Sequence, residues 1–379
     1  MNVNIENDKN VYVLGAGFSA VRGLPGIRDF MLRLRDAHPW LASRQRGTEA
    51  AAVERVIQYR LQSAAAAYRV PIDLENIEEL FSLADAGKDV LSRDIRVAIA
   101  ATLDFAEHTQ PNPFTEFECT NVQMLPTGWE VGKQVPVRCR APTYEFFLQV
   151  LLGRWLNPQP KSAVLSFNYD CLVEEALTGL GVPFDYGFRV GKPALDNPSK
   201  SSGEHMGAGG GVPVLKLHGS TNWRRQNGRG GPVLVVGSYA EVRDAGGAPE
   251  LVPPTWRKLF ARELVEIWKR ALEELRTATR IVILGFSMPE TDLHFKYLLA
   301  AGLRENVSLR EIVFVDRNPE AILNRAKVMF GEDMDRRPGV RVVGRSISHF
   351  VGEPGMDGGL SSIGRSVPRE IQNISHSWY

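Results

Sequence analysis

One unit recurs along this chain and constrains its fold more than any other feature: a short apolar run, a polar or glycine-rich end, then a stretch with helical spacing. Val11 to Leu14 ends in Gly15-Ala16-Gly17, Ser162 to Phe167 in Asn168-Tyr169-Asp170, and Val212 to Leu217 in His218-Gly219-Ser220. The last third repeats it at Arg280 to Phe286 before Ser287, at Glu311 to Val315 before Asp316, and at Val340 to Val343. Runs this short and apolar suit strands buried on both faces of a parallel sheet. Strands alternating with helices predict an α/β chain with a doubly wound, Rossmann-like parallel sheet. Pro232 to Gly237 reads as a further short strand.

Between the first two strands the texture is helical. Ala51 to Tyr68 sets Val53, Ile57, Leu61, Ala64 and Tyr68 on one face of an amphipathic helix. Asp73 reads as an N-cap ahead of Asn76, Ile77 and Leu80, Ser92 as the cap of a helix through Ile95, Ile99 and Leu103, and Thr143 to Trp155 as another helix. The proline-bearing stretch 109–142 has no sustained period and reads as a long loop or small hairpin. The sheet is then expected from residues 1–29 and 160–350, with 30–159 as a mainly helical insertion. Lys192 to Gly211 reads as a surface loop, and 351–379, poor in apolar residues, as a flexible C-terminal tail. Phe260 to Ala278 holds Leu264, Ile267, Ala271 and Leu275 in helical register.

Charge and cysteine content narrow the classes of partner. Among 379 residues, 45 Lys plus Arg balance 44 Asp plus Glu, so no global field recruits nucleic acid or an anionic membrane. The polar start MNVNIENDKN and the lack of any apolar run of about 18 residues predict a soluble, cytoplasmic protein with no membrane partner. The three cysteines, Cys119, Cys139 and Cys171, form no C-x-x-C pair, so neither a disulfide framework nor a four-cysteine zinc module is expected.

In an open parallel sheet, ligands bind beyond the carboxyl ends of the strands, where neighbouring connections diverge. Gly15-Ala16-Gly17, Asn168-Tyr169-Asp170, His218-Gly219-Ser220, Gly285-Phe286-Ser287 and Asp316-Arg317-Asn318 are all expected at such ends, around one crevice. Each also has a plainer reading. Gly-x-Gly suits a pyrophosphate above a helix N-terminus and equally a tight structural turn. Asn168 and Asp170 favour a turn after their strand, His218 suits a hydrogen-bonded structural role, and Ser287 and Asn318 stay open in the same way. His294 reads as a half-buried helix residue, and Arg224, Arg225 and Arg229 as a solvated basic loop.

Taken together, GAGFSAVRGLPGIR from Gly15, SFNYD from Ser166, KLHGSTNW from Lys216, PPTW from Pro253 and GFSMPETD from Gly285 resemble the sirtuin superfamily. The likeness is strongest to its prokaryotic sirtuin-like branch associated with antiphage defence. It covers about 11–320, interrupted by the helical insertion, and KLHGSTNW is its most specific piece. The resemblance implies NAD as substrate. Its pyrophosphate would lie on Gly15, Ala16, Gly17 and Ser19, and its nicotinamide ribose between Asn168 and His218. Asn168 would position a water or ribose hydroxyl, Asp170 would take the carboxamide, and His218 would act as general base. Ser287 and Asn318 would hold the adenosine ribose, with Arg28, Gly219, Ser220 and Gly285 also contacting the cofactor. These roles suit the chemistry, since expelling neutral nicotinamide from a cationic ring needs orientation and a modest base, and imidazole titrates near ~6.5.

Two departures point away from protein deacylation. Deacylating sirtuins carry Asp-Phe-Arg where this chain has Gly26, Ile27 and Arg28, and they hold a zinc module that this chain cannot build. Water is then the expected acceptor, giving an NAD glycohydrolase that releases nicotinamide and ADP-ribose, with no metal site. ADP-ribosyl transfer or deacylation, and a non-catalytic NAD- or ADP-ribose-binding module, are the alternatives. An unrestrained NAD hydrolase would kill its host, so control by self-association through the helical insertion, or by a second protein, is expected. The resemblance implies a HerA-like hexameric ATPase or a short Argonaute as that partner, an infection sensor in abortive antiviral defence. Direct sequence-specific nucleic acid binding by this chain is not expected.

Overall fold

The computed structural model describes residues 8–86, 91–121, 135–153, 161–188, 211–226, 231–253, 262–288, 293–333, 336, 339–344 and 347. Seven parallel strands form the central sheet: β1 (Lys9–Leu14), β2 (Lys161–Ser166), β3 (Phe184–Asp185), β4 (Val212–Lys216), β5 (Arg280–Leu284), β6 (Glu311–Asp316) and β7 (Val340–Gly344). Their order is β7-β6-β5-β1-β2-β4-β3. The doubly wound parallel sheet expected from the apolar runs is therefore present. Val11, Val13 and Leu14 are fully buried in β1, as an apolar run covered on both faces requires. Leu14 lies opposite Leu284 of β5 on one side and Ser166 of β2 on the other. Early strands extend the sheet one way and late strands the other, so the order reverses between β1 and β5.

The structure places the expected short strand within 232–237 and corrects several local expectations. Val233–Val235 pairs antiparallel with Trp223–Arg225 in a separate ribbon and does not enter the sheet, whereas the two-residue β3 does. Too few residues separate the two ribbon segments for a crossover, so a hairpin is the available pairing. Arg225 is not a solvated loop residue: it sits in that ribbon and pairs with Glu250 at 3.0 Å and Glu263 at 3.1 Å. Arg224 is half-buried beside it, and Arg229 lies outside the described residues.

The helix expected over 51–68 ends at Gln62, and Ser63, which donates both its backbone N–H and its hydroxyl to the Tyr59 carbonyl, follows it. A second helix, Ala64–Arg69, begins after it, and Leu61 and Tyr68 are exposed while Ala50, Val53 and Val56 are buried. Asn76, not Asp73, caps Ile77–Ala86 by accepting from the Glu78 N–H at 2.9 Å, and Asp73 closes a turn earlier by accepting from Glu75. Ser92 opens Ser92–Thr109 as its first residue with no side-chain cap. Phe114–Asn121 and Val135–Pro142 form an antiparallel hairpin, and Thr143–Leu151 follows as a helix. Arg262–Arg276 buries Leu264, Ile267, Ala271 and Leu275, as their spacing predicts.

Helices Phe30–Ser43, Gly47–Gln62 and Ser92–Thr109 pack pairwise on one another. The Arg35 and Arg60 guanidiniums converge on Glu75; they outweigh the effect of burial and hold its carboxyl below the usual range. A single hydrophobic cluster runs through sheet and helical block together. At their junction Tyr12 donates its hydroxyl to the Leu151 carbonyl, and Phe18 packs against Tyr144 and Phe147 at ring distances of 4.9 and 6.1 Å. Among the described residues no helix is long and apolar enough to cross a membrane.

Phe147 is fully buried at this junction. Phe147→Ala is expected to destabilise the protein by about 3–5 kcal/mol, read from denaturant unfolding as one transition shifted to lower midpoint. A separate early transition for the helical block would show instead that the two parts do not share a core.

Candidate active site

The turn after β1 and the turn after β5 interlock through glycine. Gly15 donates its N–H to the Leu284 carbonyl at 3.1 Å and Gly17 to the Gly285 carbonyl at 2.8 Å. A Cβ on Gly17 would meet the Gly285 Cα at 2.8 Å, and Gly285 itself has φ of +59°. The room that Gly15 and Gly17 leave is therefore filled on one side by another stretch of backbone. That accounts for both glycines without invoking a ligand.

From this crossing a hydrogen-bond chain extends over the carboxyl ends of β1 and β2. Asn168 donates its amide to the Gly15 carbonyl and to Ser19 Oγ, both at 2.9 Å. Ser19 in turn donates to Asp170 Oδ2 at 2.7 Å, and Asp170 Oδ1 accepts from the Leu172 N–H at 3.2 Å. Because the Gly15 carbonyl can only accept, the Asn168 nitrogen is fixed on that side. Its Oδ1 is left as the atom to receive an O–H donor. Ser19, Asn168 and Asp170 are all buried.

His218, also buried, follows β4 on the same rim. Its ring meets Phe167 edge-on at 5.1 Å and Tyr169 at 6.3 Å, while its carbonyl accepts from the Val252 N–H at 2.9 Å. Phe167 stacks on Phe286 at 4.4 Å, and Phe295 packs edge-on against both, so an aromatic wall joins the ends of β2 and β5. Main-chain bonds run from Leu217 to Ser166 and from Thr221 to Tyr169, tying the histidine segment to the Asn-Tyr-Asp segment.

The remaining predicted positions divide. Ser220 is fully buried, with its Oγ 3.4 Å from the Tyr169 carbonyl, and Gly219 has φ of +82° with the Glu250 carbonyl where a Cβ would go. Both brace the loop. Ala16 opens the short helix Ala16–Ser19. Ser287 is half-buried at the end of β5, and its carbonyl accepts from Arg325 at 2.9 Å. Asn318 is exposed and caps Pro319–Phe330 by accepting from the Ala321 N–H, a role that explains its identity by itself. Arg28 is exposed in the turn before Phe30–Ser43. Pro254 to Trp256 of PPTW and the end of GFSMPETD lie outside the described residues.

Two features escape sequence reasoning. Tyr144, from the helical block, comes within 3.5 Å of Ser19 Oγ; burial, then the Asp170 carboxylate, hold its phenol well above the usual range, so it stays neutral. Lys216 and Glu174 form a buried ion pair at 3.4 Å below the site. The lysine was visible as a charge ending an apolar strand, whereas no local pattern announces Tyr144. The donor set of carboxamide, carboxylate, imidazole and hydroxyl suits a ribose and its neighbours. Among the described residues no group of three metal-ligating side chains occurs.

Gly17→Ala is expected to lower stability by about 1–3 kcal/mol, because a backbone crossing must open. Gly26→Ala, with nothing within 4 Å of the added carbon, is the control and is expected to stay within about 0.5 kcal/mol of wild type. Thermal melts of both decide. Cys171 lies against Ser220 and Thr221, and burial, then Glu174, push its thiol up to about 12. It is protonated below that value. Iodoacetamide at pH 8 should therefore leave Cys171 unmodified in the native protein and alkylate it after unfolding, as read by peptide mapping.

No family model and no curated protein match this chain. Solved structures of Sir2 proteins do. One is Sir2 with the inhibitor EX-527, 2'-O-acetyl-ADP-ribose and a deacetylated p53 peptide, at 12% identity, 91% of this chain, 90% of that chain and a TM-score of 0.37. Sir2Tm bound to a propionylated peptide follows at 11% identity, 91% and 90% coverage and 0.38. A Sir2, p53 peptide and NAD+ complex gives 12%, 91%, 90% and 0.38. Similarity at this level carries no residue roles across.

Proposed function

We propose that this chain is a sirtuin-like NAD+ glycohydrolase that releases nicotinamide and ADP-ribose. The observation that carries the reading is the hydrogen-bonded set Ser19, Asn168 and Asp170 across the ends of β1 and β2, with His218 after β4 on the same rim. The likeness of GAGFSAVRGLPGIR, SFNYD and KLHGSTNW to sirtuin motifs supports it. NAD+, when bound, supplies a neutral leaving group on a cationic ring. Asn168 Oδ1 orients an O–H donor, a water or a ribose hydroxyl. His218 accepts the proton from that donor. Phe167 and Phe286 exclude bulk water from the site, and Ser19 keeps the Asp170 carboxylate turned towards Asn168. In this reading the protein is a cytoplasmic effector of antiphage defence. Self-association, or an infection-sensing partner such as a HerA-like ATPase or short Argonaute, controls it.

The engagement of both Asp170 oxygens, which already accept from Ser19 Oγ and the Leu172 N–H, is the observation that favours a second reading, a module that binds NAD or ADP-ribose without turning it over. Tight binding with no nicotinamide released, with or without products of adjacent genes, would select it.

His218→Ala and Asn168→Ala should each lower nicotinamide release by about 10²–10⁴-fold. Both side chains sit at strand ends, so circular dichroism should show the fold retained. Near wild-type turnover by folded His218→Ala would refute its role as base.

A further inference from the structure

The mechanism above leaves one buried charged pair unused. Lys216 ends β4, only 1% exposed, and Glu174 lies on the helix Leu172–Gly179, 5% exposed. Their charged atoms are 3.4 Å apart. Lys216 Nζ also donates to the backbone carbonyl of Asp170. Tyr186 donates its hydroxyl to Glu174 Oε1 at 3.3 Å, and Glu174 Oε2 has no hydrogen-bond partner among the described residues.

Such a pair is a costly way to gain stability. Removing two charges from water offsets most of their attraction, and apolar residues of similar size are often as stable or more so. The position of this pair suggests what it is for. Lys216 stands two residues before His218 and reaches across to Asp170, while Glu174 lies one turn into the helix that the Asn-Tyr-Asp segment begins. One ammonium thus ties the histidine segment to the carboxylate segment from below.

We propose that Lys216 and Glu174 are positioning residues: Glu174 aims the lysine, and the lysine fixes the Asp170 peptide so that its carboxylate meets Ser19 and the Leu172 N–H. The inference rests on the reading of Asn168 to Asp170 as the substrate-facing segment. Neither residue touches substrate. Without the brace, the Asp170 peptide is free to rotate, and the Ser19 and Asn168 geometry loosens with it.

The test uses the full chain with Lys216→Met and Glu174→Leu combined, which removes both charges of the pair together. A second pair, Lys216→Met with Glu174→Gln, keeps an acceptor for Tyr186 and replaces the first if that does not fold. The expected result is a melting temperature near wild type, Leu172 amide exchange at least ~10-fold faster, and kcat for nicotinamide release about 10²-fold lower with KM little changed. Wild-type exchange at Leu172 in a folded double variant would overturn the proposal. Failure of both pairs to fold would also overturn it, by making the pair structural. If wild-type protein releases no nicotinamide, the hydrolase reading falls, and the Leu172 exchange still decides the brace.

Discussion

Everything at the candidate site hangs on the point where two main-chain turns cross at the centre of the sheet. Gly17 and Gly285 bring the ends of β1 and β5 into direct backbone contact, closer than any side chain permits. That contact fixes the Gly15 carbonyl, the Gly15 carbonyl fixes the Asn168 amide, and the amide together with Asp170 fixes Ser19. Each step uses a buried polar group whose partner is supplied by a different strand end. The order of the sheet is therefore what converts scattered residues into a constellation.

The helical block shares in that arrangement. Tyr144 and Phe147 close over Phe18, so the short helix that presents Ser19 is held by residues from Thr143–Leu151. Movement of the block would be felt at Ser19. This gives the proposed control by assembly a physical route, because a partner that shifts the block acts on the same hydroxyl that Asn168 and Asp170 share.

The strands were legible because short apolar runs with polar ends leave few alternatives, and the rule for parallel sheets puts the polar ends of β1, β2 and β4 on one rim. Contacts decided by distant chain segments were not. Gly15 and Gly17 read locally as room for a ligand or as a tight turn alike, and the backbone that takes up the space on one side arrives with Gly285. The helix face drawn through Leu61 and Tyr68 broke at Ser63, which separates two helices, and both residues are exposed. Arg225 looked solvated until Glu250 and Glu263 folded against it. The Lys216 and Glu174 pair bridges two segments that periodicity alone never brings together.

The most direct measurement is the product balance of NAD+ incubated with the purified full chain, alone and with the products of adjacent genes, by quantitative chromatography. The account predicts nicotinamide and ADP-ribose in equal amounts, with no ADP-ribose attached to protein and no acyl group removed from lysine. Bound NAD+ that survives intact under every condition, or transfer of ADP-ribose to a protein side chain in place of water, would contradict it.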